Sequence, residues 1–244
     1  MAGIFLPFSN AATLVSNWCS TPPTIDGGIG AGEWDAAYPN SFYVYDESSG
    51  TPAKLVAMWA MNDIDNLYLR FQWNDDTNDA YYDIIVIYFD EDNNGNWSCD
   101  GVENYVMLYL NSTGSIFTDG YISIGCGCGI TDLVSQDGNG SYSYDSGTKS
   151  YTVEFAIPIG SAYSEDLQPA AGDLLGIGIE ITDGAPPSKG YCYPENLTSY
   201  GVVTFQLASP PNAVGSFFIL VSIICAITFL IYTRLKPESK LIIL

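Results

Sequence analysis

The chain contains no histidine and only seven lysines and arginines in 244 residues. Without an imidazole there is no Ser-His-Asp triad, no usual catalytic zinc set and no bis-histidine haem. Against those seven bases stand 28 acidic residues, a net charge of −21. A phosphate backbone would be repelled, so nucleic acid is excluded as a partner. Charged residues are only 14% of the chain and apolar residues 47%, the reverse of a disordered composition. No soluble stretch shows a strong helical period, although 160–167 has room for a helical turn, and there is no internal repeat.

What is abundant points to β-structure. The 24 glycines and 13 prolines supply turns, and the 18 tyrosines and 11 phenylalanines favour strands. Apolar runs bounded by Gly, Asn and Asp predict strands over 41–46, 54–61, 66–73, 82–89, 102–110, 151–157, 174–182 and 201–207. In 66–73, Leu67, Leu69, Phe71 and Trp73 share one face, and Tyr68, Arg70 and Gln72 the other. In 151–157, Val153, Phe155 and Ile157 point in and Glu154 points out. The segment from Asn62 to Asn66 reads as a hairpin loop. Short strands with turns at this spacing predict an all-β antiparallel β-sandwich.

The long apolar run lies at the end. Residues 213–232 hold no charge over 20 positions, the length that crosses a bilayer core of roughly 30 Å. Arg234, Lys236 and Lys240 follow it, which places a basic 233–244 tail in the cytoplasm. Residues 1–212 then keep 27 acidic and four basic side chains, about −23, outside. The expected organisation is a signal-like segment over 1–16, an extracytoplasmic β-sandwich over 17–208, a Pro-Pro linker over 209–212, and one C-terminal transmembrane helix. The expected location is therefore the cell membrane, single-pass.

Export agrees with two further patterns. Four N-x-S/T sequons, at Asn96, Asn111, Asn139 and Asn196, predict glycosylation. Five cysteines lie in the body, Cys19, Cys99, Cys126, Cys128 and Cys192. In an oxidising compartment they form at most two internal disulfides, expected among Cys99, Cys192, Cys19 and one of Cys126 and Cys128. Cys126-Gly127-Cys128 lacks the partner pair or histidine of a zinc site. Acidic residues are plentiful, but no spacing singles out a catalytic carboxylate pair, so the chain is not expected to be an enzyme.

The densest run of oxygen ligands is Asp90 to Glu103. Asp90, Asp92, Asn94 and Asn96 alternate around the flexible Gly95, with Asp100 and Glu103 beyond. A hard cation such as Ca²⁺ takes six to eight oxygens from a loop of this kind. The spacing breaks from an EF-hand at its twelfth position, Gly101, so a calcium loop on a sandwich edge is expected instead.

Six short motifs then occur in a familiar order. Ile25-Asp26-Gly27 is followed by Gly32-Glu33-Trp34 and Ala37, then by Asn66-Leu67-Tyr68-Leu69 and by the Asp90 to Glu103 segment. Val153-Glu154-Phe155-Ala156-Ile157-Pro158, Gly172-Asp173-Leu174-Leu175-Gly176 and Gly201-Val202-Val203-Thr204-Phe205 complete the series. Over 24–207 the chain resembles the family 9 carbohydrate-binding modules and the wider DOMON-like superfamily. The resemblance implies a jelly-roll-like antiparallel β-sandwich, with Trp34 plugging the core, and no single function, since relatives bind sugars, carry haem or serve as surface modules. Sugar binding needs an aromatic face beside polar groups, and the candidates are Trp97, Trp73 and Trp59. The haem-carrying relatives' Met–Lys ligation would call on Met58, Met61 or Met107 with Lys149 or Lys189. Haem is disfavoured, because a strand methionine ordinarily fills a core. The leading expectation is a calcium-stabilised module recognising glycans or envelope components. The alternatives are a structural or accessory subunit contacting other envelope or membrane proteins, and a haem-carrying electron-transfer subunit.

Overall fold

The computed structural model describes residues 14–78, 83–93, 104–110, 115–122, 129–131, 137–160, 167–170, 172–184, 189–193 and 203–211. They form fourteen strands and, among the described residues, no helix. In chain order these are β1 (Leu14–Val15), β2 (Asn17–Trp18), β3 (Asn40–Asp46), β4 (Pro52–Asn62), β5 (Asn66–Asn74), β6 (Ile84–Asp90) and β7 (Asn104–Tyr109). Then come β8 (Ile116–Ile122), β9 (Gly129–Thr131), β10 (Asn139–Asp145), β11 (Ser150–Pro158), β12 (Leu174–Asp183), β13 (Lys189–Tyr193) and β14 (Val203–Gln206). The chain divides into a body, Met1–Ala208, and a tail unit, Ser209–Leu244. The apolar run 213–232 lies outside the described residues, and no described helix is long and apolar enough to cross a membrane.

Two antiparallel sheets make the body. The first runs β10-β11-β5-β4-β3 and the second β13-β12-β6-β7-β8-β9, with β14 also on β12. They meet at one corner through a short β3–β13 pairing, Tyr45 opposite Cys192 and Asp46 opposite Tyr191. Phe42 stacks on Tyr193 there, with ring centroids 4.1 Å apart. At the opposite edge Phe117 of β8 reaches Phe155 of β11, 6.4 Å between centroids, so the sheets fold over one core.

Alternation explains the core. Leu67, Leu69 and Phe71 of β5 face Ile85, Ile87 and Phe89 of β6, Val153 and Phe155 of β11, and Ile177 and Ile179 of β12, all fully buried. Each such side chain contributes about 1.5–3 kcal/mol by leaving water. The 62–66 hairpin forms as expected. Asp63 Oδ1 accepts the amides of Asp65 and Asn66 at 2.8 Å, and Tyr68 donates its hydroxyl to Asp63 Oδ2.

The first strand changes sheets. Leu14 and Val15 pair in parallel with β14, and two residues later Asn17 and Trp18 pair in parallel with β4. Between them buried Ser16 donates its hydroxyl to Asn62 Oδ1, and the Ala208 amide donates to both side chains. The expected signal-like segment thus overlaps the sandwich from Leu14 onward.

Candidate functional site

The outer face of the first sheet is half covered. Residues 19–38 run across it as a strap, and Cys19, Trp34 and Ala37 bury themselves against Met61 of β4 and Tyr68 of β5. What fastens the strap is Glu154, whose side chain points outward from β11 yet is completely buried. Its Oε1 accepts the Trp34 indole N–H at 2.9 Å, and its Oε2 accepts the amides of Gly27 at 2.9 Å and Asp26 at 3.3 Å. Gly27 adopts φ +79°, and a Cβ there would lie 2.3 Å from the Tyr142 carbonyl carbon. The motifs at 25–37 and 153–158 are therefore two halves of one lock. Burial pushes the Glu154 carboxyl above its ordinary value, while the Gly27, Trp34 and Asp26 donors pull it back down.

Arg70 lies opposite Glu154 in the β5–β11 register and is only 5% exposed. Its guanidinium carbon is 4.1 Å from the Trp59 ring centroid and 6.0 Å from that of Trp34, distances at which a cation is attracted to the ring face. Burial lowers its pKa, and the Glu154 charge acts the other way. Arg70 Nη2 donates to Gln72 Oε1 at 3.1 Å, and Gln72 Nε2 donates to Thr152 Oγ1 at 3.0 Å. Arg70 Nε is buried with no hydrogen-bond partner among the described residues. The strap ends at this row. Beyond Trp59 the outer face is open, with a half-buried indole at its border and a hydrogen-bonded polar row beside it.

The aromatic candidates separate by face. Trp59 is the one on the open outer face. Trp73 is a correction: it is 3% exposed and packs 5.2 Å from Tyr151 in the core, because it shares the inward face of Leu67, Leu69 and Phe71. It has no free ring face for a sugar. Trp97 lies outside the described residues. Met58 and Met61 fill two separate cores on the two faces of β4.

Only the beginning of the acidic loop is described. Asp90 ends β6 completely buried, Asp92 is exposed in the following turn, and Asn93 takes a left-handed φ of 50°. Glu91 is engaged elsewhere, accepting from Asn104 Nδ2 and from the Gln168 amide. Asn94, Asn96, Asp100 and Glu103 lie outside the described residues, and among the described residues no group of three or more Cys, Asp or Glu could hold a metal ion.

Cys19 is a buried free thiol, its pKa pushed up to about 11 by burial and the nearby Asp63 charge. That is a correction to its expected place in a bridge. Its neighbours are Trp34, Met61 and Tyr68, so the thiol acts as a small apolar group. Cys192 is buried on β13, and Cys99, Cys126 and Cys128 lie outside the described residues. Among the sequons, Asn139 is exposed at the start of β10, and Asn96, Asn111 and Asn196 lie outside the described residues. Arg70, Gln72, Thr152 and Glu154 went unnoticed as site residues. A charged residue in the middle of an otherwise alternating strand was the available signal.

No family model matches the chain, and no curated protein matches it. Solved structures do resemble its fold. A family 9 carbohydrate-binding module from Caldicellulosiruptor kristjanssonii in complex with cellotriose superposes with a TM-score of 0.58 at 14% identity, covering 83% of this chain and 97% of that one. The same module in complex with glucose gives 0.58 and 14%, covering 83% and 99%. A Bacteroides uniformis structure assigned as a carbohydrate-binding protein gives 0.56 and 11%, covering 80% and 98%. At these identities the likeness establishes the fold alone: the body is an antiparallel β-sandwich similar to those structures.

Proposed function

We propose that the body is a non-catalytic glycan-binding module, carried outside the cell on a single C-terminal membrane span at 213–232. The observation that supports it most is the Trp59 border. A half-buried indole stands over Arg70, next to the hydrogen-bonded Gln72–Thr152 pair. An aromatic face beside fixed polar groups is the combination that a sugar ring uses, apolar C–H groups against the ring and hydroxyls against the polar row. Binding of cellotriose and glucose by the similar module points the same way. The test is a glycan array followed by calorimetry on the best binder. Trp59→Ala is expected to weaken binding at least about tenfold, or about 1.4 kcal/mol, in a protein that still unfolds cooperatively, at a midpoint lowered by the lost packing on Arg70 and the strap. A wild-type protein that binds nothing on the array, or a variant that binds as well as wild type, overturns the reading.

The same proposal includes calcium held by Asp90, Asp92 and Asn94 with Asn96, Asp100 or Glu103. The large negative charge of the body raises the local cation concentration, and the bound ion relieves repulsion among the acids. At a free concentration ten times the dissociation constant, linkage adds about 1.4 kcal/mol. A chelator is expected to lower the melting temperature of the wild type, and Asp92→Asn, at an exposed turn position, to abolish that difference. Identical melting curves with and without millimolar calcium would remove the ion from the proposal. Glycosylation at the four sequons, and disulfides among the cysteines other than Cys19, belong to the same extracytoplasmic setting.

A further inference from the structure

The geometry points to a second contact zone on the same outer face, which makes the ligand a linear neutral oligosaccharide rather than a single sugar; this rests on the glycan reading of the Trp59 border. Tyr43 of β3 and Leu55 of β4 are direct partners in the β3–β4 register and are 51% and 54% exposed. Large apolar side chains so exposed and directly paired make a small raised platform. Leu55, Ala57 and Trp59 alternate along β4, so all three project from the outer face, and four residues of strand separate Leu55 from Trp59 by about 13 Å. One sugar ring cannot touch both ends of that span, and a short linear chain of rings can. The stretch between them is floored by small or polar side chains: Ala57 lies opposite Ser41 on one side and opposite Gln72 on the other.

Charge selects the chemistry. The body carries about −23, and no side chain along the strip from Tyr43 to Trp59 offers an accessible cation. Arg70 is buried beneath Trp59 with Glu154 opposite in register. Lys149, at the β10–β11 turn, is already paired with Asp76 at 2.9 Å. A uronate or sulfated glycan would meet repulsion without compensation. A neutral chain meets an aromatic border, a polar floor and an aromatic–aliphatic platform at the far end.

The experiment uses neutral oligosaccharide ladders, each from monosaccharide to hexasaccharide, in the gluco-, xylo-, manno- and chitin-type series, measured by calorimetry on the full chain in detergent. Affinity is expected to rise about tenfold between the monosaccharide and the trisaccharide or tetrasaccharide and then to level off. In the double variant Tyr43→Thr with Leu55→Thr, which keeps strand-forming residues at both positions, that ratio falls to near one. An unchanged thermal midpoint shows that the sheet is intact. Equal affinity across the bound ladder, or a ratio that the double variant leaves unchanged, overturns the second zone while the Trp59 site stands. Binding to none of the ladders overturns both. Self-association of the wild type that the double variant abolishes assigns the platform to a second copy of the chain and overturns the inference.

Discussion

Replacing Glu154 by leucine is expected to cost about 3–5 kcal/mol, because it leaves several buried donors without their acceptor at about 1–3 kcal/mol each. The reason is the number of groups that depend on it. Trp34 Nε1 and the Gly27 and Asp26 amides all donate to its two oxygens, and its charge acts on the buried Arg70 opposite it in the register. Leucine leaves three donors without their acceptor and removes the opposing charge from Arg70, which keeps its bond to Gln72, and unsatisfied buried donors are the expensive direction of the asymmetry. Urea unfolding measures it, and a loss below about 1 kcal/mol would show that the strap is fastened elsewhere. Glutamine in the same place isolates the charge. Burial raises the Glu154 carboxyl above 4.5, so the folded protein binds that proton more tightly than the unfolded chain. The resulting stabilisation is fully present below 4.5 and is lost as pH rises through the raised value. The stability of wild type relative to Glu154→Gln is therefore expected to fall from acid to neutral pH, and a flat difference would exclude the effect.

The sequence carried the strands that bury an alternating face. The expected 66–73, 151–157 and 174–182 strands match β5, β11 and β12 to within a residue at each end, because period-two apolar alternation and flanking turn residues agree there. It was silent on β10, whose Asn-Gly-Ser-Tyr-Ser-Tyr-Asp run has no aliphatic residue and is held by its ladder with β11 and by Tyr142 and Tyr144 packing on the core. β8 also escaped: Asp119 and Gly120 interrupt its apolar run, and its partners β7 and β9 supply the order. β1 and β2 are pieces of two residues each, too short for any period.

The site was half legible for a similar reason. Placing Tyr68, Arg70 and Gln72 on one face was right, and the outward direction of Glu154 was right. Outward suggested solvent, however, and that failed because the strap covers half of the outer face. Burial by a segment more than a hundred residues distant leaves no local periodic trace. Trp73 failed differently. At a strand end it is open to either core or platform, and strand parity, already visible in Leu67, Leu69 and Phe71, assigns it to the core.

Gly27→Ala is expected to cost about 2–4 kcal/mol, from backbone strain and overpacking together. The residue sits at φ +79° with the Tyr142 backbone 2.3 Å from where the methyl carbon would be, and a backbone neighbour in a paired strand cannot swing aside as a side chain tip would. The strap has to lift at this point. Lifting it pulls the Gly27 amide away from Glu154 Oε2 and the Gly27 carbonyl away from the Ser143 hydroxyl, now 2.5 Å apart. The damage should therefore overlap with that of Glu154→Leu rather than add to it. In a double-mutant cycle, Gly27→Ala in the Glu154→Leu background is expected to cost at least about 1 kcal/mol less than in the wild type, the signature of residues in one network. Strict additivity would mean that the strained glycine and the buried glutamate stabilise the protein independently, and that the two sequence motifs are not one lock.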